Sequence, residues 1–478
     1  MIQEIADWPR ASWPMAATMK PWLLLALVLS ACVASTASSP KISHIVRGDP
    51  VTQEAKAFPF PTTVKTLPNG LKIFVVEYDS PGLVAYYSVV RTGSRNEVEP
   101  GKSGFAHFFE HMMFRGTARY PTEAYNAAIK GMGADSNAFT ADDMTVYHIL
   151  AGAKSLPTIV DIESDRFQHL DYGEAEFQKE ARAVLGEYTK GASNPLQPMV
   201  EALYDHAFTT HTYRHTTIGF LSDIEAMPHQ FAYSRQFFQR YYRPDNVILL
   251  VVGDVTAAQV MPLVEEHYGG WQAGPARPAI PVEPPQTREQ RVKVPWKGAG
   301  LPMLLVGFHV PAFAPASSDS AAIDVLGELA FAERSPLYRR LVLEEQKVER
   351  LEGSAERHID PNLFNLLATV KAGADVPYVE KAIYDEIARI AAQGTDAKTL
   401  AEVIAHKRYE LAGFLATADK VAQVGAEFLA LTGGLDAIEQ TSAQLDQVTA
   451  ADVKRVAARY FTPENRTVVI LEPAASAR

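Results

Sequence analysis

The sequence predicts an α+β protein: two homologous α/β sandwich-type domains, the product of an internal duplication, joined by a Pro-rich linker. Three observations predict it. The segment RYYRPDNVILLVVGDV, starting at Arg240, returns as RYFTPENRTVVILEP, starting at Arg459; each has Arg-Tyr-aromatic, one residue, Pro-acid-Asn and then a β-branched run. Each copy follows a stretch of helical character, HQFAYSRQFFQ in one and TAADVKRVAA in the other, so a helix delivers the chain through a Pro turn into a buried strand. Between the copies, AGPARPAIPVEPPQ (273–286) reads as a stiff extended connector outside either core.

In chain order, the first element is MKPWLLLALVLSAC (19–32), where a lysine precedes an apolar run too short to span a bilayer. It reads as an export signal. Leu29 to Cys32 resemble a lipobox, which would make Cys32 an acylation site and the protein periplasmic, attached to a bacterial membrane; an ordinary cut after Ala34 or Ala37 is the alternative. Glu4 and Asp7 suit a signal's basic start badly, so Met19 is a candidate for the translation start. Residues 1–36 are assigned to export, 37–61 to a tether, 62–272 to the first domain, 273–295 to the linker and 296–478 to the second domain. Cys32 is the sole cysteine, so no intramolecular disulfide holds the fold. The balance of 45 basic to 56 acidic residues argues against a general phosphate-binding surface and against nucleic acid as a partner.

LKIFVVEY (71–78) and LVAYYSVV (83–90) read as two strands joined by a short turn. A helix follows in GFAHFFEHMMF (104–114), which is apolar nearly all round. In it His107 and His111, at i and i+4, lie about 40° apart around the axis, with Glu110 on the same side. A buried helix with three polar groups aimed one way needs partners for them, and a divalent metal supplies them. Two imidazoles and a carboxylate favour zinc, leaving manganese and cobalt open. Hydrogen-bonded core histidines are the ordinary alternative. EFQKEARAVLGEY (176–188) carries an apolar stripe of Phe177, Ala181, Val184 and Tyr188. Its Glu180 and Glu187, seven residues apart, face the same way; their spacing alone does not separate ligation from a solvated acidic face.

The order of HFFEH, DSNAFTADDMTVYH (135–148), EARAVLGE (180–187) and YRPDNVILLVVGDV resembles the pitrilysin and insulinase family of zinc peptidases, most similarly its mitochondrial-processing-peptidase-like branch. The resemblance covers residues 62–473, duplication and linker included. It implies one zinc ion per chain held by His107, His111 and Glu187, with Glu110 as general base and Glu180 as a supporting acid. It also implies a substrate-binding edge strand at Asn137, Ala138, Phe139 and Thr140, and an endopeptidase acting on peptides or unfolded polypeptides.

One departure bears on partners. The family's single-chain peptidases carry an arginine and a tyrosine in the second half, and the corresponding segment here, LYRRLVLEEQKVERLEG (337–353), places Val342 and Glu349 at those positions. Arg339, Arg340 and Arg350 stand close by but out of register. The second half also lacks a His-x-x-Glu-His, as its helix DSAAIDVLGELAF (319–331) shows. The resemblance therefore implies a zinc-bearing subunit that encloses a substrate chamber with a homologous partner supplying the arginine and tyrosine. A homodimeric peptidase active alone and a non-catalytic lipid-anchored scaffold are the alternatives.

Overall fold

The computed structural model describes residues 56–473. The export segment with Cys32 and most of the tether lie outside the described residues. The first half runs β1 (Thr62–Thr66), β2 (Lys72–Glu77), β3 (Leu83–Val90), α1 (Phe105–Met112), α2 (Thr122–Met132), β4 (Asp135–Thr140), β5 (Thr145–Gly152), α3 (Leu156–His169) and α4 (Glu174–Gly191). It continues through α5 (Leu196–Ala207), α6 (Leu221–Ala226), α7 (Phe231–Tyr241), β6 (Val247–Gly253) and α8 (Ala257–Tyr268). Residues 272–289 form no helix or strand, as their prolines require. The second half runs β7 (Gln290–Trp296), β8 (Met303–Val310), α9 (Ser318–Phe331), the short α10 (Pro336–Tyr338) leading into a π-helical turn, β9 (Val348–Ala355) and β10 (Asn362–Val370). It ends with α11 (Val376–Gln393), α12 (Ala397–Phe414), α13 (Ala418–Thr432), α14 (Asp436–Gln447), α15 (Ala450–Tyr460) and β11 (Arg466–Pro473).

The duplication is explicit in the sheets. The first has the order β1-β2-β6-β3-β5-β4 and the second β7-β11-β8-β10-β9, so the second repeats the first without its outer β1. In both copies of the repeated motif a helix ends, Pro244–Asn246 or Pro463–Asn465 makes a 3-10 turn, and a central strand follows. β2 and β3 do not form the simple hairpin that their short connection predicts. β6 lies between them, parallel to β2 and antiparallel to β3. The reason is that all three are buried on both faces, and the innermost place goes to the most apolar strand, VILLVVG.

Alternation along each strand sorts its side chains between two cores. Ile73, Val75, Val84 and Tyr86 join α1 residues in one core. Phe74, Val76, Ala85 and Tyr87 point to the opposite face, where they meet Val421, Ala422 and Leu429 of α13, a helix of the second half. The second sheet repeats the exchange. Its Leu304, Val306 and Phe308 pack with α9, α11 and α15, while Leu305, Leu363 and Leu471 pack against Met199 and Leu203 of α5, a helix of the first half. Close approach is required: a Cβ at Gly425 of α13 would stand 2.9 Å from Leu250 Cδ2. Each half therefore covers the outer face of the other's sheet.

Polar contacts reinforce this crossing. Asp143, in the β4–β5 turn, accepts from Tyr213 Oη at 2.8 Å and lies 3.0 Å from His358 Nδ1. Asp360, beside His358 in the β9–β10 turn, takes Arg95 at 2.6 Å and His211 at 3.0 Å. Among the described residues no single helix is long and apolar enough to cross a membrane.

Because Leu203 is 1% exposed and packs on the other half's sheet, Leu203→Ala is expected to cost about 2–5 kcal/mol. It should also lower hydrogen-exchange protection in β8 and β10 rather than only in its own half. Loss of protection confined to β2, β3 and β6 would contradict the exchanged packing.

Candidate metal centre

The centre is built on α1, whose Phe105, Ala106, Phe108, Phe109 and Met112 are at most 1% exposed. Phe109 stacks on Phe237 of α7, ring centroids 5.4 Å apart. Gly104, at φ +91°, turns the chain into the helix where a Cβ would lie 2.6 Å from the Ile218 carbonyl oxygen. The buried Glu97 then receives the helix start: its Oε2 accepts from the Gly104 N–H at 2.7 Å and its Oε1 from the Ala106 N–H at 2.6 Å. Burial pushes the Glu97 carboxyl up, against the pull of these N–H groups. With every apolar position committed to the core, His107, Glu110 and His111 are left on the one remaining side.

There they meet α4. His107 Nε2 and His111 Nε2 each lie 3.5 Å from Glu187 Oε2. One donor atom from each of these three residues falls within 4.8 Å of the others. Four-coordinate zinc with bonds of about 2.0–2.1 Å sets its ligand atoms roughly 3.3 Å apart, so this donor set fits the ion. Glu180, two turns earlier on α4, is 2% exposed; its Oε2 is 3.8 Å from His111 Nδ1 and its Oε1 is 2.7 Å from Arg115. Glu187 remains 49% exposed, which leaves the centre open on that side.

Glu110 stands beside the donor set and outside it. Thr140 Oγ1 donates to Glu110 Oε2 at 2.6 Å and ties it to β4. Among the described residues β4 pairs only with β5, from Asp135↔Leu150 to Thr140↔Thr145, and ends the sheet, so Asn137, Ala138, Phe139 and Thr140 lie on an edge strand beside Glu110. An edge strand with free main-chain groups is the element to which an extended peptide adds.

The charges favour a cation. Burial pushes His107 below its usual value. Burial also opposes charge on His111, but Glu180 and Glu187 beside it outweigh this and hold its imidazolium up to about 10. Burial would raise Glu180 and Glu187; the hydrogen bonds with His111, joined by Arg115 at Glu180, hold both below the usual carboxylate range. His107 Nδ1 is buried without a hydrogen-bond partner among the described residues, so the acceptor expected at that nitrogen is not supplied there.

The structure thus brings together His107, Glu110, His111, Glu180 and Glu187 from two helices, with the strand 137–140 alongside. Cys32 lies outside the described residues. Val342 packs half-buried against the second core and Glu349 is exposed on β9. Arg350 is engaged with Glu352 at 2.6 Å. Gln346, between Val342 and Glu349, has φ +52°. Sequence reasoning missed Glu97 and Arg115. Arg115, four residues past His111 on the helical spacing, carried a readable signal; Glu97, seven residues before Gly104, carried none.

Comparisons with known proteins agree with this architecture. A family model described as insulinase (peptidase family M16) matches residues 74–219, and one described as peptidase M16 inactive domain matches residues 232–406; together they take in well over half of the chain. The zinc protease PqqE of Helicobacter pylori is 26% identical over 415 residues, 85% of this chain and 92% of that protein. The mitochondrial-processing peptidase subunit beta of Bos taurus is 30% identical over 209 residues, 44% of this chain and 42% of that protein, so the match spans under half of that relative. A crystal structure of a protease from Helicobacter pylori has a TM-score of 0.81 at 27% identity, covering 87% of this chain and all of that one.

The protonated His111 has a measurable consequence. Metal takes up the neutral ring, so zinc added to the metal-free chain at pH 8 is expected to release about one proton. Calorimetry in buffers of different ionisation enthalpy reads this directly, and a heat independent of buffer would contradict it. With its folded value raised above 6.5, His111 contributes stability to the metal-free chain that is fully present below pH 6.5 and lost as the pH rises through about 10.

Proposed function

The chain belongs to peptidase family M16, the insulinase family, and on that footing we propose that it is a zinc-dependent endopeptidase acting on peptides or unfolded polypeptides. The observation that carries this reading is the convergence of His107, His111 and Glu187 to within 4.8 Å, with Glu110 adjacent and outside the donor set. Those three residues would hold one zinc ion. Bound there, zinc supplies Lewis acidity towards a peptide carbonyl and lowers the pKa of water.

The remaining work falls to the chain's own side chains. Glu110 accepts the proton of the attacking water on Oε1, while Oε2 is held by Thr140, and then delivers that proton to the departing amine nitrogen. Glu180, fixed by Arg115, keeps negative charge beside His111 and orients its ring. Residues 137–140 align an extended substrate by main-chain pairing, which reads length and shape more than side-chain identity. Residues 62–272 form the metal-bearing domain; the linker expected over 273–295 stops at 289, because Gln290–Trp296 is β7 of the second sheet, and the domain without the proposed metal runs from 290. The segment 19–32 adds an exported, periplasmic location, with lipid attachment at Cys32, on its charge and hydropathy alone.

Val342 and Glu349 bind no substrate carbonyl, so a homologous partner subunit supplies the arginine and tyrosine and closes the substrate chamber. The relative named as a beta subunit supports this division. A second reading, a homodimer active alone, is favoured by the exposure of Arg339 and Arg340 near Val342.

Glu110→Gln is expected to keep one zinc per chain by metal analysis and to lose roughly 10²–10⁴ in kcat on unstructured peptides. An unchanged rate would remove Glu110 from the chemistry and point to a scaffold. The purified chain, residues 37–478, is expected to cleave such peptides efficiently only when mixed with a homologous chain that carries the arginine and tyrosine. Full activity from the chain alone, abolished by mutating Arg339 or Arg340, would establish the homodimer instead.

A further inference from the structure

Three arginines meet at the junction of the two halves. Arg91 follows β3, Arg95 stands in the 3-10 turn Ser94–Asn96, and Arg277 belongs to the linker. All three line one cavity of about 240 Å³, together with Pro278, Ile280 and Ile359. Arg95 pairs with Asp360 at 2.6 Å and has Asp143 at 3.6 Å. Neither Arg91 nor Arg277 has a carboxylate oxygen within 4 Å among the described residues. Arg91 Nε donates to the Ala430 carbonyl in the last turn of α13 at 2.9 Å, and Arg277 donates to the side-chain oxygen of Asn246. Each bond uses one of a guanidinium's five N–H groups and leaves the rest of the fork free.

Like charges set around a shared cavity repel one another, and an anion between them offsets that repulsion. The chain carries a net charge of −11 and yet, among the described residues, places no acid against Arg91 or Arg277. Burial and the neighbouring Arg277 and Arg95 push the Arg91 guanidinium below its usual value, the direction expected when compensating charge is missing.

We propose that this cavity is a binding site for a small oxyanion of the phosphate class, clasped between Arg91 and Arg277 with Arg95 behind them. Planar guanidinium forks match the oxygens of such an anion two at a time. The volume lies below the roughly 300–1,000 Å³ of sites for drug-sized ligands, which restricts the occupant to a small ion. Arg91 reaches α13, Arg277 is linker and Ile359 belongs to the β9–β10 turn, so an anion here fastens the linker to both halves. Binding to the folded chain alone raises the unfolding temperature with anion concentration.

The test is titration of the zinc-loaded chain with inorganic phosphate and with pyrophosphate at constant ionic strength, followed by calorimetry and by Tm. Saturable binding of one anion per chain with a rise in Tm is expected. Arg277→Gln, at an exposed linker position, should weaken binding at least tenfold and abolish the anion-dependent Tm rise, and should lower the anion-free Tm only by the loss of its one hydrogen bond to Asn246. Arg91→Gln should weaken binding likewise and also lower the anion-free Tm, because it removes the contact with α13. No saturable binding at millimolar phosphate would overturn the site. So would undiminished binding to R277Q, which would place the anion elsewhere, at the metal for instance, or an equal response to acetate, which would reduce the effect to general screening.

Discussion

The position of α1 is the constraint on which the rest of the molecule depends. Five of its eight residues are sealed in the core, and its first backbone N–H groups end on the buried carboxylate of Glu97. A helix start without that acceptor would leave donors unpaired in an apolar surrounding, at a cost of about 1–3 kcal/mol each. Held at its N-terminus and packed nearly all round, α1 cannot rotate. His107, Glu110 and His111 can then face only the gap between α4 and β4. The geometry of the centre follows from apolar packing rather than from attraction among its polar groups.

The electrostatics of the centre follow in turn. Two carboxylates of α4 flank His111, and Arg115 engages the deeper one, so the pocket stabilises a positive charge between the imidazoles whether a proton or a metal carries it. Glu110 differs from these acids in its neighbour: Thr140 donates to it from the edge strand. One helix thereby presents His107 and His111 towards α4 and Glu110 towards the strand.

The duplicated fold makes each half depend on the other. The outer face of the first sheet is completed by α13 and that of the second by α5, so neither sheet buries both faces within its own half. Exposing those faces would return a row of Val, Leu and Phe side chains to water, at roughly 1.5–3 kcal/mol for each large one. The second half is thus a structural complement of the first. Its strand order repeats the first half's, with β9 in the place of β4. Glu349 lies exposed on that strand.

What the sequence determined by itself was local or repeated. The duplicated motif, the helices that precede it, the Pro-rich connector and the shared face of His107, Glu110 and His111 all rest on near-neighbour spacing, and the helical period fixes which side chains stand together. Glu180 and Glu187 were legible as a pair on one face, but their assignment to the metal came from family resemblance, because an acid on a helix is ordinarily solvated. The tertiary structure alone decided the rest. An apolar stripe states that a helix must be covered without stating by what, so the crossing of α5 and α13 and the placement of β6 between β2 and β3 could not be read from composition or period. The contacts of Glu97 with α1, of Thr140 with Glu110 and of Arg277 with Asn246 join groups brought together by chain reversal, and a one-dimensional pattern carries no record of which distant groups those reversals bring within a hydrogen bond's length.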